Sequence, residues 1–323
     1  MTLGLLRRRL QRVTPKFIVD IATPESTVFL SGMGRSGTTW VAEAINHDGT
    51  HRIVFEPFNP HKVKEARSFE YVQYLSRDYR DLTLMTSAQR ILSGQVRNRW
   101  VDVENRTRVF RRRIIKDIRS NLMLAWLSSI APRMPIVLLI RHPLSVAMSW
   151  HRLGWGAAEK TGWHRDCEVM LSQKPLIDAF PVIGKAAKRV DIENELQRIV
   201  FQWCVMHYVP LQQLQPGEYL TVFYEDLVLN PQREFEILFQ YLRVPFKPNR
   251  LASVLCKPSM THQRAPVNPR GHLTRWRQAF TSRQIEQASS ILSMFGLDHL
   301  YVDGIPATAT GTHTAPRIGI STP

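Results

Sequence analysis

The chain has 323 residues, 44% of them hydrophobic, which suffices for a packed globular core and excludes disorder of the whole chain. Lysine and arginine number 43 against 27 acidic residues, so the formal charge of +16 favours anionic partners such as a nucleotide, a nucleic acid, an acidic glycan or a membrane surface. The three cysteines are widely spaced without a C-x-x-C pair, which argues against a disulfide framework or a zinc site and favours a reducing cytoplasm.

The first predicted element is a basic amphipathic helix within a segment that covers residues 1–24. Its apolar residues share one helical face and its arginines surround the rest: Leu3, Leu6, Leu10 and Val13 against Arg7, Arg8, Arg9 and Arg12. We expect a solvated helix packed on the domain; peripheral membrane contact and an organelle transit segment are the alternatives. No run approaches the roughly 18 to 20 apolar residues of a membrane span, so we expect no membrane anchor.

Between residues 25 and 303, short β-rich runs alternate with helical patterns. The predicted strands are Thr27 to Ser31, Arg52 to Phe55, Arg113 to Lys116, Ile136 to Ile140 and Leu220 to Tyr224. The predicted helices are Thr38 to Asn46, Ser120 to Ile130, Leu144 to Arg152, Glu193 to Leu214, Gln232 to Tyr241 and Ser282 to Phe295. This order predicts one α/β domain, a three-layer sandwich with a central parallel sheet. The Thr-, Gly- and Pro-rich residues 304–323 are predicted to be a disordered tail.

Two long segments interrupt this order, from Asn59 to Val109 and from Trp155 to Val190. Both are predicted to be irregular or helical insertions. Insertions in a parallel sheet lie over the carboxyl ends of the strands, where ligands bind. We therefore expect these two segments to determine substrate specificity.

The stretch FLSGMGRSGTTW, residues 29–40, joins the first predicted strand of the domain to its first helix. It nearly matches the nucleotide-binding pattern G-x-x-x-x-G-K-[ST], with two glycines and Thr39 in place, but Thr38 occupies the lysine position. Backbone N–H groups and the positive helix end in such a turn bind phosphate. Because the nearby cation is Arg35 on the loop itself, ATP hydrolysis is disfavoured. A single phosphate bearing a non-phosphate group fits better; a purely structural turn is the alternative.

The segment GMGRSGTTW resembles the 5′-phosphosulfate-binding loop of sulfotransferases, enzymes that use 3′-phosphoadenosine 5′-phosphosulfate (PAPS). The resemblance implies a P-loop NTPase-like sulfotransferase fold, nearest in character to carbohydrate and tyrosylprotein sulfotransferases. It implies that the loop holds the cofactor's 5′-phosphate and that Arg35 contacts the transferring group. The loop residues concerned are Gly34, Arg35, Ser36, Gly37, Thr38 and Thr39.

The segment IVLLIRHPLSVAMSW places Arg141 at a strand end and Ser149 eight residues later, on a helix that Pro143 opens. A guanidinium and a hydroxyl so placed can bind one anion; a surface arginine and a helix-filling serine are the alternative. The spacing is similar to the 3′-phosphate site of sulfotransferases, which implies that role for both residues.

The segment VFYEDLVLNPQREFEILFQYL is similar to the Y-E-D-L segment of the same family, and Tyr224 is predicted to flank the adenine. Glu225 and Asp226 are predicted to form a strand-end turn that caps the helix beginning near Pro231, with a catalytic carboxylate pair as the alternative. The segment RGHLTRWRQAF resembles the part of cytosolic sulfotransferases that closes over the cofactor. This implies a 3′-phosphate contact from Arg270, although an arginine stands where the usual lysine follows the tryptophan.

Sulfuryl transfer to a hydroxyl needs a proton acceptor and cations that offset charge on the sulfuryl oxygens and the departing phosphate. Glu56 follows a predicted strand and precedes a Pro-aromatic pair, similar to the catalytic glutamate of carbohydrate and tyrosylprotein sulfotransferases; a structural pair with an arginine is the alternative. Lys116 resembles the active-site lysine of tyrosylprotein sulfotransferases; a surface pair with Asp117 is the alternative. Four histidines are expected to be mainly surface or capping residues: His51, His61, His142 and His151.

The expected reaction is an in-line displacement with Glu56 as base and with Arg35 and Lys116 as charge stabilisers, without a metal. The expected partners are the nucleotide co-substrate and a hydroxyl acceptor, a glycan or a small molecule, and not nucleic acid. The expected location is cytoplasmic, and the oligomeric state is left open.

Two rival interpretations follow from the same features. A P-loop small-molecule kinase would share the sheet and the loop, but Thr38 in the lysine position and the lack of a clear strand-end aspartate for magnesium speak against it. A basic nucleic-acid-binding protein would use an arginine cluster that lacks interleaved aromatic residues: Arg106, Arg108, Arg111, Arg112 and Arg113.

Overall fold

The computed structural model describes residues 17–155, 165–255 and 269–307. Its strands are β1 (Val19–Asp20), β2 (Thr27–Gly32), β3 (His51–Phe55), β4 (Val109–Phe110), β5 (Arg112–Asp117), β6 (Ile136–Ile140), β7 (Tyr219–Phe223), β8 (Tyr301–Val302) and β9 (Ile305–Pro306). Its α-helices are α1 (Thr38–Ile45), α2 (Leu82–Leu92), α3 (Leu124–Ile130), α4 (Pro143–Leu153), α5 (Arg165–Ser172), α6 (Lys174–Ala179), α7 (Pro181–Ala187), α8 (Glu195–Gln213), α9 (Tyr224–Leu229), α10 (Pro231–Leu242), α11 (Pro248–Leu255), α12 (Pro269–Leu273), α13 (Trp276–Ala279) and α14 (Ser282–Met294).

The core of the molecule is a five-stranded sheet in the order β3-β5-β2-β6-β7. Every neighbouring pair in it is parallel. All five carboxyl ends therefore meet at one edge, where the segments that follow the strands are brought together. The predicted central parallel sheet is confirmed.

Both faces of this sheet are covered, which explains why β6 is apolar at every position and why the middle residues of β2, β3 and β5 are apolar. Phe29 of β2 packs with Trp126 and Phe201, from α3 and α8, on one face. Leu30, its neighbour in the strand, packs on the other face with residues of α1 and α10 such as Val41. Because successive strand residues point to opposite faces, the two clusters complete the predicted three-layer sandwich.

The predicted elements agree closely with the observed ones. β6 has its predicted bounds, β2 and β3 differ by one residue at one end, and β5 and β7 differ by one residue at each end. The predicted helix from Ser120 to Ile130 begins with a 3-10 turn, Asn121–Met123, before α3. The two insertions contain α2 and α5–α7, as expected. Within the described ranges, no helix combines the length and apolar character needed to cross a bilayer.

The division at residues 24 and 304 stays a prediction. Residues 1–16 and 308–323, which carry most of the predicted basic segment and tail, lie outside the described residues. The described part of the first segment contains β1, which pairs in parallel with β4 to form a small second sheet. Two-residue strands carry no periodicity, so this sheet was not predicted.

β1 is held by a buried ionic network at the amino edge of the main sheet. Both carboxylate oxygens of Asp20 accept from the guanidinium of Arg113, at 2.8 Å each, and Oδ2 also accepts from Arg52 at 3.0 Å. Arg52 donates further to both oxygens of Asp102, at 2.9 and 3.2 Å. The side chains of Asp20, Arg52 and Arg113 are at most 1% exposed. Pairing on all sides is the condition under which buried charges are tolerated.

Candidate active site

The loop between β2 and α1 has the tight backbone that its glycines predict. Gly37, the residue before α1, has a φ of 98°, and a Cβ there would lie 2.6 Å from the ring of Tyr224. Arg35 also has a positive φ, of 75°. Side chains other than that of glycine rarely adopt such angles without strain, so the turn requires Gly37, and Tyr224 packs directly against it.

The structure brings the predicted anion-binding residues together around this loop. The Nε of Arg35 donates to the Oγ of Ser149 at 3.2 Å. The guanidinium of Arg141 donates to the carbonyl oxygen of Arg35 at 3.1 Å and lies 4.4 Å from the ring centroid of Tyr224. These four side chains and the loop itself, residues 32–39, therefore form one site at the carboxyl ends of β2, β6 and β7, which we call the loop site.

Two tryptophans that sequence reasoning missed support the loop site. Trp150 donates from its indole Nε1 to the carbonyl oxygen of Gly34 at 2.9 Å. Trp203 donates from its indole Nε1 to the carbonyl oxygen of Arg141 at 2.8 Å. Both indoles are buried, so these bonds fix the backbone of the loop and of the β6 end. In sequence, each is indistinguishable from a core tryptophan on an amphipathic helix.

Buried polar atoms in the loop site fit an anionic ligand. The Oγ of Ser36 and the Nε of Arg141 are both buried, and neither has a hydrogen-bond partner within the described structure. Leaving a buried donor unpaired is costly, and a phosphate oxygen would satisfy both. Thr38 is buried and Thr39 half-buried at the start of α1, where helix N–H groups favour negative charge. The residues of the loop site thus fit a phosphate-bearing ligand.

A second group of charges lies at the carboxyl ends of β3 and β5. The Oε1 of Glu56 pairs with the Nζ of Lys116, and Oε2 pairs with Nη1 of Arg119, both at 2.6 Å. All three side chains are no more than 8% exposed. We call this trio the Glu56 cluster. Arg119 was missed by sequence reasoning, although a guanidinium three residues after a strand-end lysine was a signal that could have identified it.

The backbone around Glu56 is strained but firmly held. Its φ is 43°, in the left-handed region that non-glycine residues rarely adopt. Its N–H donates to the carbonyl oxygen of Lys116 at 2.7 Å, and its own carbonyl oxygen accepts from the indole of Trp100 at 3.2 Å. Strained residues held in this way are found preferentially at functional sites.

The electrostatics of the cluster keep the carboxylate ionised. Burial acts to raise the pKa of Glu56, but the charges of Lys116 and Arg119 outweigh it and hold the pKa below its usual value. The pKa of Arg119 is raised, since the attraction of Glu56 outweighs the effect of burial. Glu56 is thus ionised, and each of its two carboxylate oxygens has a cationic partner.

Residues of the two insertions reach this cluster, as expected. The ring centroid of Tyr71 lies 4.9 Å from the guanidinium carbon of Arg119. Asp166 on α5 is buried, and burial raises its pKa to about 8 although the charge of Arg119 opposes this. Gln173 of the second insertion connects it to the first, because its Oε1 accepts from the backbone N–H of Tyr74 at 2.7 Å. The insertions therefore form a polar wall beside Glu56.

The alternative given for Lys116 and the expected capping role of Glu225 are both wrong. Lys116 and Asp117 are not a surface pair: Asp117 is fully buried and accepts from the backbone N–H of Arg119 at 2.7 Å, while Lys116 points to Glu56. Glu225 does not cap the helix α10. Its oxygens instead accept from the backbone N–H of His142 at 2.9 Å and from the hydroxyl of Tyr301 at 3.3 Å. Long-range bonds of this kind leave no local sequence signal.

The remaining predicted residues are placed as follows. Arg270 lies in α12, but its side chain is outside the described residues. His51 and His142 are buried rather than at the surface, and His142 stacks on Trp276 at 4.4 Å. Burial lowers the pKa of these imidazoles to about 4 and about 3. Among the described residues, no group of three or more metal-ligating side chains is assembled.

A sequence model described as the sulfotransferase family matches residues 27–248. The search of curated proteins gave no match. Among solved structures, mouse sulfotransferase SULT7A1 complexed with PAP is 13% identical, with a TM-score of 0.45, covering 84% of this chain and 85% of that one.

Two further structures illustrate the range of similar folds. The sulfotransferase domain of the Synechococcus PCC 7002 olefin synthase is 16% identical, with a TM-score of 0.43, covering 87% of this chain and 98% of that domain. Retinol dehydratase in a complex with retinol and PAP is 12% identical, with a TM-score of 0.42, covering 85% of this chain and 82% of that one.

Proposed function

The chain belongs to the sulfotransferase family, and from that premise we propose that it transfers the sulfuryl group of PAPS to a hydroxyl of a carbohydrate or glycoconjugate. One observation carries the proposal: the loop site, with unpaired buried donors on Ser36 and Arg141, shares its sheet edge with the Glu56 cluster. An anion site beside an ionised carboxylate is what transfer from a nucleotide to a hydroxyl requires.

The loop site is proposed to bind the two phosphates of PAPS. Loop amides and the hydroxyls of Ser36, Thr38 and Thr39 hold the 5′-phosphate at the start of α1. Arg141 and Ser149 hold the 3′-phosphate, and the Arg35–Ser149 bond of 3.2 Å ties that site to the loop. Tyr224 flanks the adenine, and Arg270 is an additional 3′-phosphate contact.

The chemical step is proposed to be an in-line displacement at sulfur. The acceptor oxygen forms a bond to sulfur, the bond from sulfur to the 5′-phosphate oxygen breaks, and 3′-phosphoadenosine 5′-phosphate (PAP) leaves. The acceptor's proton goes to Glu56, whose oxygens retain lone pairs beyond those used by Lys116 and Arg119. Arg35 and Lys116 offset charge on the sulfuryl oxygens and the leaving phosphate.

The acceptor class is argued from the wall beside Glu56. Arg119, Tyr71 and Asp166 supply a guanidinium, a phenol and a carboxyl group there. Such groups match the hydroxyls of a sugar better than the apolar face of a lipid or steroid. A carbohydrate or glycoconjugate is therefore the acceptor class that we propose.

The nucleotide site is tested by calorimetric titration of the purified protein with PAP, AMP and Mg-ATP. We expect metal-independent binding of PAP, and binding weaker by about tenfold or more for AMP and for the variant Arg141→Ala, because each change removes a charge-assisted contact to the 3′-phosphate. A preference for Mg-ATP over PAP would replace this proposal with the kinase interpretation.

The role of Arg119 is tested by the pH dependence of turnover. Glu56 acts as a base only when ionised, so activity is present above its pKa and is lost as the pH falls through that value. Because the charge of Arg119 helps to hold this pKa down, Arg119→Met should raise it and move the acid limb of the kcat profile to higher pH.

Arg119→Lys is the matched control, since it retains a cation and should leave the acid limb closer to that of the parent. If Arg119→Met lowers kcat equally at every pH, without moving the limb, then Arg119 does not act through the ionisation of Glu56.

A further inference from the structure

The two-stranded sheet β1–β4 has an exposed apolar face. Asp20 and Phe110, which are register partners, point inward. Their neighbours Val19 and Val109, also register partners, point outward and are 51% and 62% exposed. Phe17 and Ile21 continue the same alternation and are 80% and 59% exposed. We call these four side chains the β1/β4 face.

The β1/β4 face concentrates exposed apolar side chains in one place. The exposed large apolar side chains of the described structure number seven, and these four are among them. Single exposed apolar residues need no explanation, but a contiguous group indicates an interaction site. The strand β1 is anchored from below, because Asp20 pairs with two buried arginines.

The rim of the face is basic. Arg106, Arg108 and Arg111 flank Val109 in sequence and are exposed. The carbonyl oxygen of Arg108 accepts from the N–H of Val19 at 2.7 Å, which places this arginine beside the face. Within the described ranges, none of the three guanidinium groups has an ion-pair partner. The face thus combines exposed apolar groups with uncompensated positive charge.

Charge discriminates between the candidate occupants of this face. The chain's own residues 1–16 contain Arg7, Arg8, Arg9, Arg12 and Lys16, so they would bring more positive charge to a positive rim. A second copy of the chain would oppose the same arginines to each other. An anionic lipid surface attracts the rim and residues 1–16 alike, and it also accepts apolar side chains.

We propose that the β1/β4 face docks on an anionic phospholipid surface. Its apolar side chains enter the interface, and the three rim arginines contact headgroup phosphates. The inference is independent of the proposed function, since it involves neither the loop site nor the Glu56 cluster. β5 runs from Arg112 at this amino edge to Lys116 near its carboxyl end, about 13 Å away, so the docked protein presents the edge that carries Lys116 away from the lipid.

The test is co-sedimentation of the full chain with phosphatidylcholine vesicles, with and without phosphatidylglycerol. We expect binding to the anionic vesicles only, weakening as salt rises. The double variant Ile21→Ser/Val109→Ser should lower the partition constant by about tenfold or more. Arg108→Gln should lower it by about fivefold. Leu82→Ser is the matched control, because Leu82 is 84% exposed on α2, away from this face, and it should bind as the parent does.

Four results would overturn the proposal. Absence of binding to anionic vesicles, or equal binding by parent and double variant, would show that the face is not the docking surface. A dimer that sedimentation velocity detects in the parent and not in the double variant would identify a second copy as the occupant. A thermal midpoint lowered in the double variant but not in Leu82→Ser, without lipid, would show that residues 1–16 cover the face.

Discussion

Replacing Glu56 by glutamine is expected to lower kcat by about 10²-fold or more, while the Kd for PAP stays within a few-fold of the parent. Glutamine keeps the volume of the side chain and one acceptor oxygen, but it cannot take the acceptor's proton. It also leaves Lys116 and Arg119, both buried, without their carboxylate. Single-turnover kinetics with PAPS and a sugar acceptor, combined with PAP titration, separates the chemical step from nucleotide binding.

The chain offers a matched control for this substitution. Glu218 also pairs with a guanidinium, that of Arg77 at 2.5 Å, but it precedes β7 and lies at the opposite edge of the sheet. Glu218→Gln should therefore leave kcat close to the parent value. A Glu56→Gln variant with kcat within a few-fold of the parent would remove Glu56 from the role of base.

Asp20→Ala is expected to lower the free energy of unfolding by about 3–5 kcal/mol, since breaking a buried ion pair leaves an uncompensated charge behind. Asp20 supplies both oxygens to Arg113 and one of them to Arg52. Arg52 keeps Asp102 when Asp20 is removed. The bonds that Arg113 keeps within the described residues go to neutral acceptors such as the hydroxyl of Thr27 at 2.9 Å. Denaturant titration at neutral pH measures the change.

The pH dependence of this stabilisation follows from the sign of the shift. Burial acts to raise the pKa of Asp20, but Arg113 and Arg52 outweigh it and hold the pKa below the usual value. A depressed pKa contributes stability above the unfolded-state pKa, and this is lost as the pH falls through the folded-state value. The parent and Asp20→Asn, which does not titrate, should therefore converge in stability toward acid.

Asp178→Ala serves as the control for the Asp20 experiment. Its carboxylate pairs with Lys174 at 2.6 Å, but both side chains are largely exposed, and exposed pairs contribute little. The network would lose its assigned role if Asp20→Ala and Asp178→Ala changed the free energy of unfolding by similar small amounts.

The sequence was sufficient for the sheet and for the loop site because both depend on local patterns. Strands covered on both faces are continuous apolar runs, so β2 and β6 were predicted nearly to the residue. The glycines of the loop and the spacing of Arg141 and Ser149 are likewise visible in sequence. These signals place residues at the ends of parallel strands, and parallel strand ends necessarily meet.

What could not be predicted are interactions between distant segments. Arginine is seldom fully buried unless paired, and the pairing of Arg52 and Arg113 depends on Asp20, 32 and 93 residues away. Arg119 acquires its role only where β5 brings Lys116 beside Glu56. Glu225 was expected to act within its own turn because nothing local in the sequence indicates the hydroxyl of Tyr301.

Along a single strand of the parallel sheet, a residue that contributes to folding lies at one end and a residue proposed for turnover lies at the other. β3 begins beside Asp20 and ends at the Glu56 cluster. Arg52, at its second position, contributes to folding, while Glu56, directly after its end, is proposed to act in turnover. Substitutions at the amino edge should therefore change the amount of folded protein in a cell. Substitutions at the carboxyl edge should change the catalytic activity of each folded molecule. A laboratory evolution experiment could raise abundance at one end of β3 and alter acceptor preference at the other, with little interference between the two.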